Sequence, residues 1–239
     1  MANFEKVYML CPPQTETGGP EACHQLIGAM NQINFPAELV YYKKKKTFSN
    51  LKGRLDQSIN GDIITTPVAT SPCPKAYQAY NAPFKNKIVD NEKNILILPE
   101  NMLHLINIGR KIKKGIWWLS VDNALLAISR LGNISPLRSG IMHFHQSEYA
   151  RQFLDLLSFE NIFPLSDYIS NAIYSSIDQN FPREKFIAYN PKKGFEFTKK
   201  IIQTFPSIRF VPLINMTKDQ VCQTLQQASL YIDFGDHPG

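Results

Sequence analysis

The sequence predicts an α/β protein: a Rossmann-like parallel-sheet domain followed by a second, incomplete Rossmann-like domain. Three observations predict it. Short continuous apolar runs alternate with helical periodicity, the pattern of strands covered by helices on both faces. That pattern weakens over 166–183, where Pro182 interrupts it, and then restarts. Glycines stand where strands hand over to helices, at Gly18-Gly19 and at Gly194. The domains are therefore set at 1–165 and 184–239, with 166–183 as linker.

Taken in order, residues 6–11 form a buried strand. Residues 20–33 form a helix with Pro20 at its first position and Ala22, Leu26, Ile27, Met30 and Ile33 on one face. Strands follow at 37–42, 62–66, 87–90 and 94–98, and 102–114 has helical spacing up to Gly115. The run IWWLSV, 116–121, is a strand whose neighbours Trp117 and Trp118 face opposite ways under different helices. A helix at 124–131, a strand at 140–145, a helix at 147–157 and a strand at 162–165 complete the first domain.

The second domain reads strand 185–189, turn 190–194, helix 195–204, strand 208–213, helix 218–228 and strand 230–234. Roughly 60 residues fall short of the hundred or more usual for a doubly wound domain. The second sheet is thus expected to be interrupted. This chain alone is then expected to be a poor enzyme, with an exposed strand edge that favours self-association.

The chain has 239 residues, 44% hydrophobic and 19% charged, which fits a globular protein with a real core. Lys and Arg total 26 against 20 acidic residues, a net charge of +6. Much of the excess sits in Lys43, Lys44, Lys45 and Lys46 and again between Arg110 and Lys114. Such charge suits an anionic membrane or a phosphorylated ligand as well as plain solubility. Aromatics are not interleaved with the basic residues as a nucleic-acid groove requires, so no nucleic-acid partner is expected. The 43–46 run reads as a solvated face or as a contact with an anionic leaflet. Cys11, Cys23, Cys73 and Cys222 have no C-x-x-C spacing and read as reduced thiols of a cytoplasmic protein. The N-terminus is no signal peptide, and no apolar run is long enough to span a bilayer.

Ligands of open parallel sheets bind beyond the carboxyl ends of the strands, and here those ends carry the polar residues. Gly18-Gly19-Pro20-Glu21 opens a helix, where glycines admit a ligand and the helix end favours an anion or hydroxyl. A tight turn, with Glu21 complementing the helix dipole, is the competing reading. Pro99-Glu100, Asp122-Asn123 and His145-Gln146-Ser147 stand at further strand tips, as does Gly235-Asp236-His237. Asn190-Pro-Lys192-Lys193-Gly194 puts two lysines in a strand-to-helix turn, fit for a diphosphate or simply solvent-facing. Asp122 is a base, a sugar contact or ordinary turn chemistry. His143 and His145 share one strand face like a metal pair, but no third ligand is spaced to join them.

With these tips located, the chain resembles the GT-B glycosyltransferases that build bacterial surface polysaccharides. PPQTETGGPEACHQLIGAM is similar to that family's glycine-rich first loop and helix on the acceptor side. ILPE, IWWLSVDN and HFHQSEYARQFL match the rhythm of its N-terminal domain, and AYNPKKGFEFTKKII the opening of its nucleotide-sugar domain. YIDFGDHPG resembles the loop before the donor-binding helix. In many such enzymes a pair of glutamates beyond that loop holds the donor, and this sequence stops before it.

The resemblance implies transfer of a sugar from a nucleotide-sugar donor to a glycan or lipid-linked acceptor, at the cytoplasmic face of a membrane. Lys192, Lys193, Gly194, Asp236 and His237 would bind the donor. Gly18, Gly19, Glu21 and Glu100 would bind the acceptor, with Asp122 and His145 as candidate general bases. No Asp-x-Asp pair is present, so neither a metal nor another cofactor is expected. Two rival classes stay open: a non-catalytic sugar or nucleotide-sugar binding protein, and an NAD-dependent oxidoreductase. The second is disfavoured by the lack of G-x-G-x-x-G.

Overall fold

The computed structural model describes residues 4–42, 58–60, 63–65, 72–167, 181–192 and 194–235. Two compact units divide the chain, one within Met1–Tyr168 and one within Ile169–His237.

The first unit begins with β1 (Lys6–Cys11), α1 (Gly18–Gln32) and β2 (Ala37–Tyr41). Strands β3 (Ser58–Asn60), β4 (Ile63–Thr65), β5 (Phe84–Lys85), β6 (Lys87–Val89), β7 (Asn94–Pro99) and β8 (Lys113–Trp118) follow. A 3-10 helix, Lys75–Tyr80, precedes β5, and another, Glu100–Leu105, follows β7. Helices α2 (Val121–Leu131) and α3 (Ser135–Arg138), strand β9 (Ile141–His145), helix α4 (Glu148–Leu156) and strand β10 (Ile162–Pro164) complete it.

Seven strands form one sheet in the order β10-β9-β8-β7-β1-β2-β5, and every pairing in it is parallel. The architecture is Rossmann-like. Strand alternation makes two cores, one on each face. Val7, Met9, Cys11, Ile95, Ile97 and Trp117 pack with Ala22, Cys23 and Ile27 of α1. Tyr8, Leu10, Leu96, Leu98 and Trp118 pack with Val121, Ala124, Ala150 and Leu154 of α2 and α4. The two tryptophans do lie on opposite faces.

From β1 the chain moves to β2 on one side, then returns to β7 on β1's other side. That reversal between β1 and β7 is the topological switch point, where a doubly wound sheet opens a crevice at its carboxyl edge.

The second unit holds β11 (Glu184–Tyr189), α5 (Phe195–Thr204), β12 (Arg209–Pro212), α6 (Lys218–Gln227) and β13 (Ala228–Ile232). Its sheet runs β12-β11-β13, again parallel. The same reversal recurs between β11 and β13. Its buried core is small, with Phe186, Ala188 and Ala228 at the centre.

Three expectations need correction. The helix expected over 102–114 is absent. The 3-10 helix Glu100–Leu105 already contains a non-helical Met102 (φ −110°), and β8 starts at Lys113. The Asp90 carboxylate accepts the amides of Arg110, Lys111 and Ile112 at 2.8, 2.9 and 2.8 Å. Those amides cannot then serve a helical ladder, and Gly109 turns the chain with φ +74°. The strands expected at 62–66 and 87–90 do form, as β4 and β6, but in a separate antiparallel ribbon, β3-β4-β6. Ile33, expected on the buried face of α1, lies past its last turn and is 76% exposed. No described helix is long and apolar enough to cross a membrane.

Candidate functional site

In the first unit, the polar tips gather around Leu119 at the carboxyl edge. Glu100, directly after β7, accepts the Leu119 amide on Oε2 at 3.1 Å. Gln146, directly after β9, donates to the Leu119 carbonyl. Leu119 Cδ1 lies 3.8 Å from where a side chain on Gly19 would begin. The tips of β7, β8 and β9 and the start of α1 thus meet at one residue.

Glu100 is 3% exposed. Burial pushes its carboxyl up to about 7, against the pull of the backbone amides of Glu100 itself, Leu119 and Ser120. A carboxyl that titrates near neutral pH at a switch point can give or take a proton at little cost.

The two glycines that open α1, Gly18 and Gly19, are not explained by the fold. Neither has positive φ, and a side chain on Gly18 would meet nothing within 4 Å. Thr17, the N-cap, makes no side-chain cap bond, unlike Ser120 and Ser147 ahead of α2 and α4. Pro20 brings no amide hydrogen, so the first turn offers the Gly18 and Gly19 N–H groups without a side-chain cap. A tight turn is therefore not the reason for the pair.

The start of α1 is anchored from below by residues that sequence reasoning missed. His24 is fully buried, and its Nδ1–H donates to the Pro20 carbonyl at 2.6 Å. Its Nε2 then accepts the Tyr41 hydroxyl at 2.7 Å, and burial lowers the imidazole's proton affinity. Tyr77 donates to the Thr17 carbonyl at 3.1 Å, and Tyr80 donates to Glu21 Oε1 at 2.7 Å. Glu21 is thus engaged by the first 3-10 helix.

Asp122 is exposed near the start of α2, where the Tyr149 hydroxyl donates to its Oδ1 at 3.4 Å. His145 Nδ1–H donates to the Ser147 carbonyl at 3.2 Å. His143 belongs to the core. Its Nδ1 accepts the Trp118 indole N–H at 3.1 Å and its Nε2–H donates to the Leu137 carbonyl at 2.8 Å. With both nitrogens occupied, it cannot pair with His145 on a metal. Among the described residues, no group of three or more His, Cys, Asp and Glu is placed to hold a metal ion.

In the second unit, the turn after β11 and the loop after β13 close on each other. Asn190 Nδ2 donates to Asp233 Oδ2 at 3.0 Å, and Tyr231 and the Gly235 amide also donate to that carboxylate, each at 3.0 Å. Asn190 Oδ1 accepts the Lys192 amide at 3.0 Å, folding the turn. Gly194 has φ +57°, and a β-carbon there would stand 2.2 Å from the Phe234 carbonyl oxygen. Only glycine permits that approach. Lys192 is exposed beside it, while Lys193, Asp236 and His237 lie outside the described residues, as do Lys43 to Lys46. Asp233 went unnoticed because the sequence places it inside the strand expected at 230–234, whereas β13 ends at Ile232. Comparison with known proteins yields no matching family model and no matching curated protein.

Proposed function

We propose that the protein is a GT-B-like glycosyltransferase, moving a sugar from a nucleotide-sugar donor to a glycan or lipid-linked acceptor in cell-surface polysaccharide synthesis. One observation carries the reading: each unit has its own parallel sheet with a switch point, and glycine stands at the entry to the helix there, Gly18-Gly19 opening α1 and Gly194 as the N-cap of α5. Two ligand edges in one chain suit a reaction with two substrates. The edge over β1 and β7 would take the acceptor, with Gly18 and Gly19 admitting a hydroxyl-bearing sugar to the uncapped amides of α1. The edge over β11 and β13 would take the donor, with Lys192 and the start of α5 facing the diphosphate.

The proton lost by an attacking hydroxyl needs an acceptor near neutral pH. Asp122 and His145 remain candidates at the acceptor edge. Glu100 joins them as the carboxyl at the tip of β7, which burial raises to about 7. The acceptor's lipid anchor would place the work at the inner face of the membrane, with Lys43 to Lys46 as the contact.

Calorimetry with a panel of nucleoside-diphosphate sugars, and NAD as the competing ligand, tests the reading. At least one nucleotide sugar should saturate the protein, and Lys192→Ala should weaken that binding about 10-fold, the value of one charged hydrogen bond. Saturation by NAD with no response to any nucleotide sugar would replace the reading with the oxidoreductase one.

A further inference from the structure

Aromatic side chains crowd the carboxyl edge of the second unit. Phe197, in the first turn of α5, and Phe234, in the loop after β13, form a tilted ring pair with centroids 4.7 Å apart. Both stay in contact with solvent, at 54% and 41% exposure. Phe195 lies between them in sequence and the Lys192 turn, stacked on Tyr189 at 6.3 Å and 15°. An exposed phenylalanine is common on any surface. A pair held together at the switch point is a different matter.

The pair is held by backbone, not by chance rotamers. Gly194 packs against the Phe234 carbonyl so closely that no β-carbon fits. The Asn190–Asp233 hydrogen bond ties the same two loops on the side of the lysine turn. Asp233 also fixes the residue after Phe234 by accepting the Gly235 amide. The first turn of α5 and the loop after β13, which carry the two rings, thus have their spacing set by main-chain contact, the preorganisation a stacking surface needs.

The geometry points to a nucleobase platform: the exposed Phe197–Phe234 pair stacks the base of a nucleoside diphosphate whose phosphates lie at the adjoining Lys192 turn. This inference rests on the donor reading given above and names the part of the donor that these rings recognise. Charge complementarity selects the occupant. A flat, π-bearing group joined to a dianionic diphosphate matches exposed aromatic rings beside an exposed lysine, whereas an apolar partner chain would leave that lysine unanswered. Stacking on phenyl rings tolerates any base, since every base has a π face, so the platform confers affinity for nucleotides as a class.

Calorimetry with UDP, GDP and inorganic pyrophosphate, on the full chain and on Phe197→Ala and Phe197→Trp, separates the parts. Phe197 is exposed, so its replacement should leave the fold intact, and circular dichroism checks that. Phe197→Ala should weaken UDP and GDP binding about 10-fold, the usual worth of one stacked base, and leave pyrophosphate unchanged. Phe197→Trp should restore or improve nucleotide binding. If UDP and GDP bind the parent and Phe197→Ala binds them equally well, the platform is wrong while the donor site stands. An equal loss for pyrophosphate also overturns it, since the ring would then only shape the turn. If neither UDP nor GDP binds the parent, both the donor reading and the platform fall.

Discussion

Glu100 and His143 are buried ionisable groups pushed in opposite directions by the same cause. Burial raises the Glu100 carboxyl to about 7 and lowers the His143 imidazole to about 4. For Glu100 the folded value lies above the unfolded one, so its contribution is complete below about 4.5 and is lost as pH rises through 7. For His143 the folded value lies below the unfolded one. Its contribution is complete above about 6.5 and is lost as pH falls toward 4. A charged His143 would turn Nδ1–H against the Trp118 indole N–H, which is the physical source of that loss. Between pH 4.5 and 6.5 the two slopes oppose each other and nearly cancel. Glu100→Gln should uncover the His143 slope. In denaturant titrations, the stability difference between Glu100→Gln and the parent should shift in the variant's favour by roughly 3 kcal/mol from pH 4.5 to 7.5. A pH-independent difference would mean that Glu100 is solvated and is not the proton-handling group.

At the scale of elements, the Asp90 clip decides where β8 begins. Three backbone amides share one carboxylate, and although burial alone would raise the Asp90 carboxyl, the amides of Arg110, Ile112 and Lys111 outweigh it and hold it below its usual value. Asp90→Ala would leave three amide hydrogens without an acceptor and should cost about 2–4 kcal/mol by denaturant titration. Asp90→Asn keeps one carbonyl oxygen and should cost clearly less. Equal losses in the two variants would contradict the clip.

The same clip explains why one element was illegible. Met102, Leu105, Ile106 and Ile112 are spaced like a helix face, and nothing local shows that an aspartate some twenty residues earlier claims the amides. β5, only the exposed Phe84-Lys85, was missed, whereas the other six strands of the central sheet were legible as largely apolar runs. Which short strands left that sheet for the β3-β4-β6 ribbon was not, since strand periodicity carries no record of the partner. Among site residues, glycines and strand-tip acids stood out by type. The His24, Tyr41, Tyr77 and Tyr80 support did not, because its meaning lies in contacts between distant segments.

For the whole molecule, the account comes down to two parallel sheets, each with a reversal of strand order and a polar carboxyl edge above it. Order and spacing of the tips made that plan readable from the sequence, since each strand-to-helix handover falls at a fixed edge of a parallel sheet. The roles of the two edges are the proposal, and hydrogen exchange is the most direct test. Amide exchange should be followed across the chain with and without a saturating nucleoside-diphosphate sugar. The account predicts slowed exchange in 190–194 and 233–235, with 12–19 and the tip of β8 unchanged until a glycan acceptor is added. Protection of 12–19 by the nucleotide alone, with 190–194 and 233–235 unaffected, would contradict it.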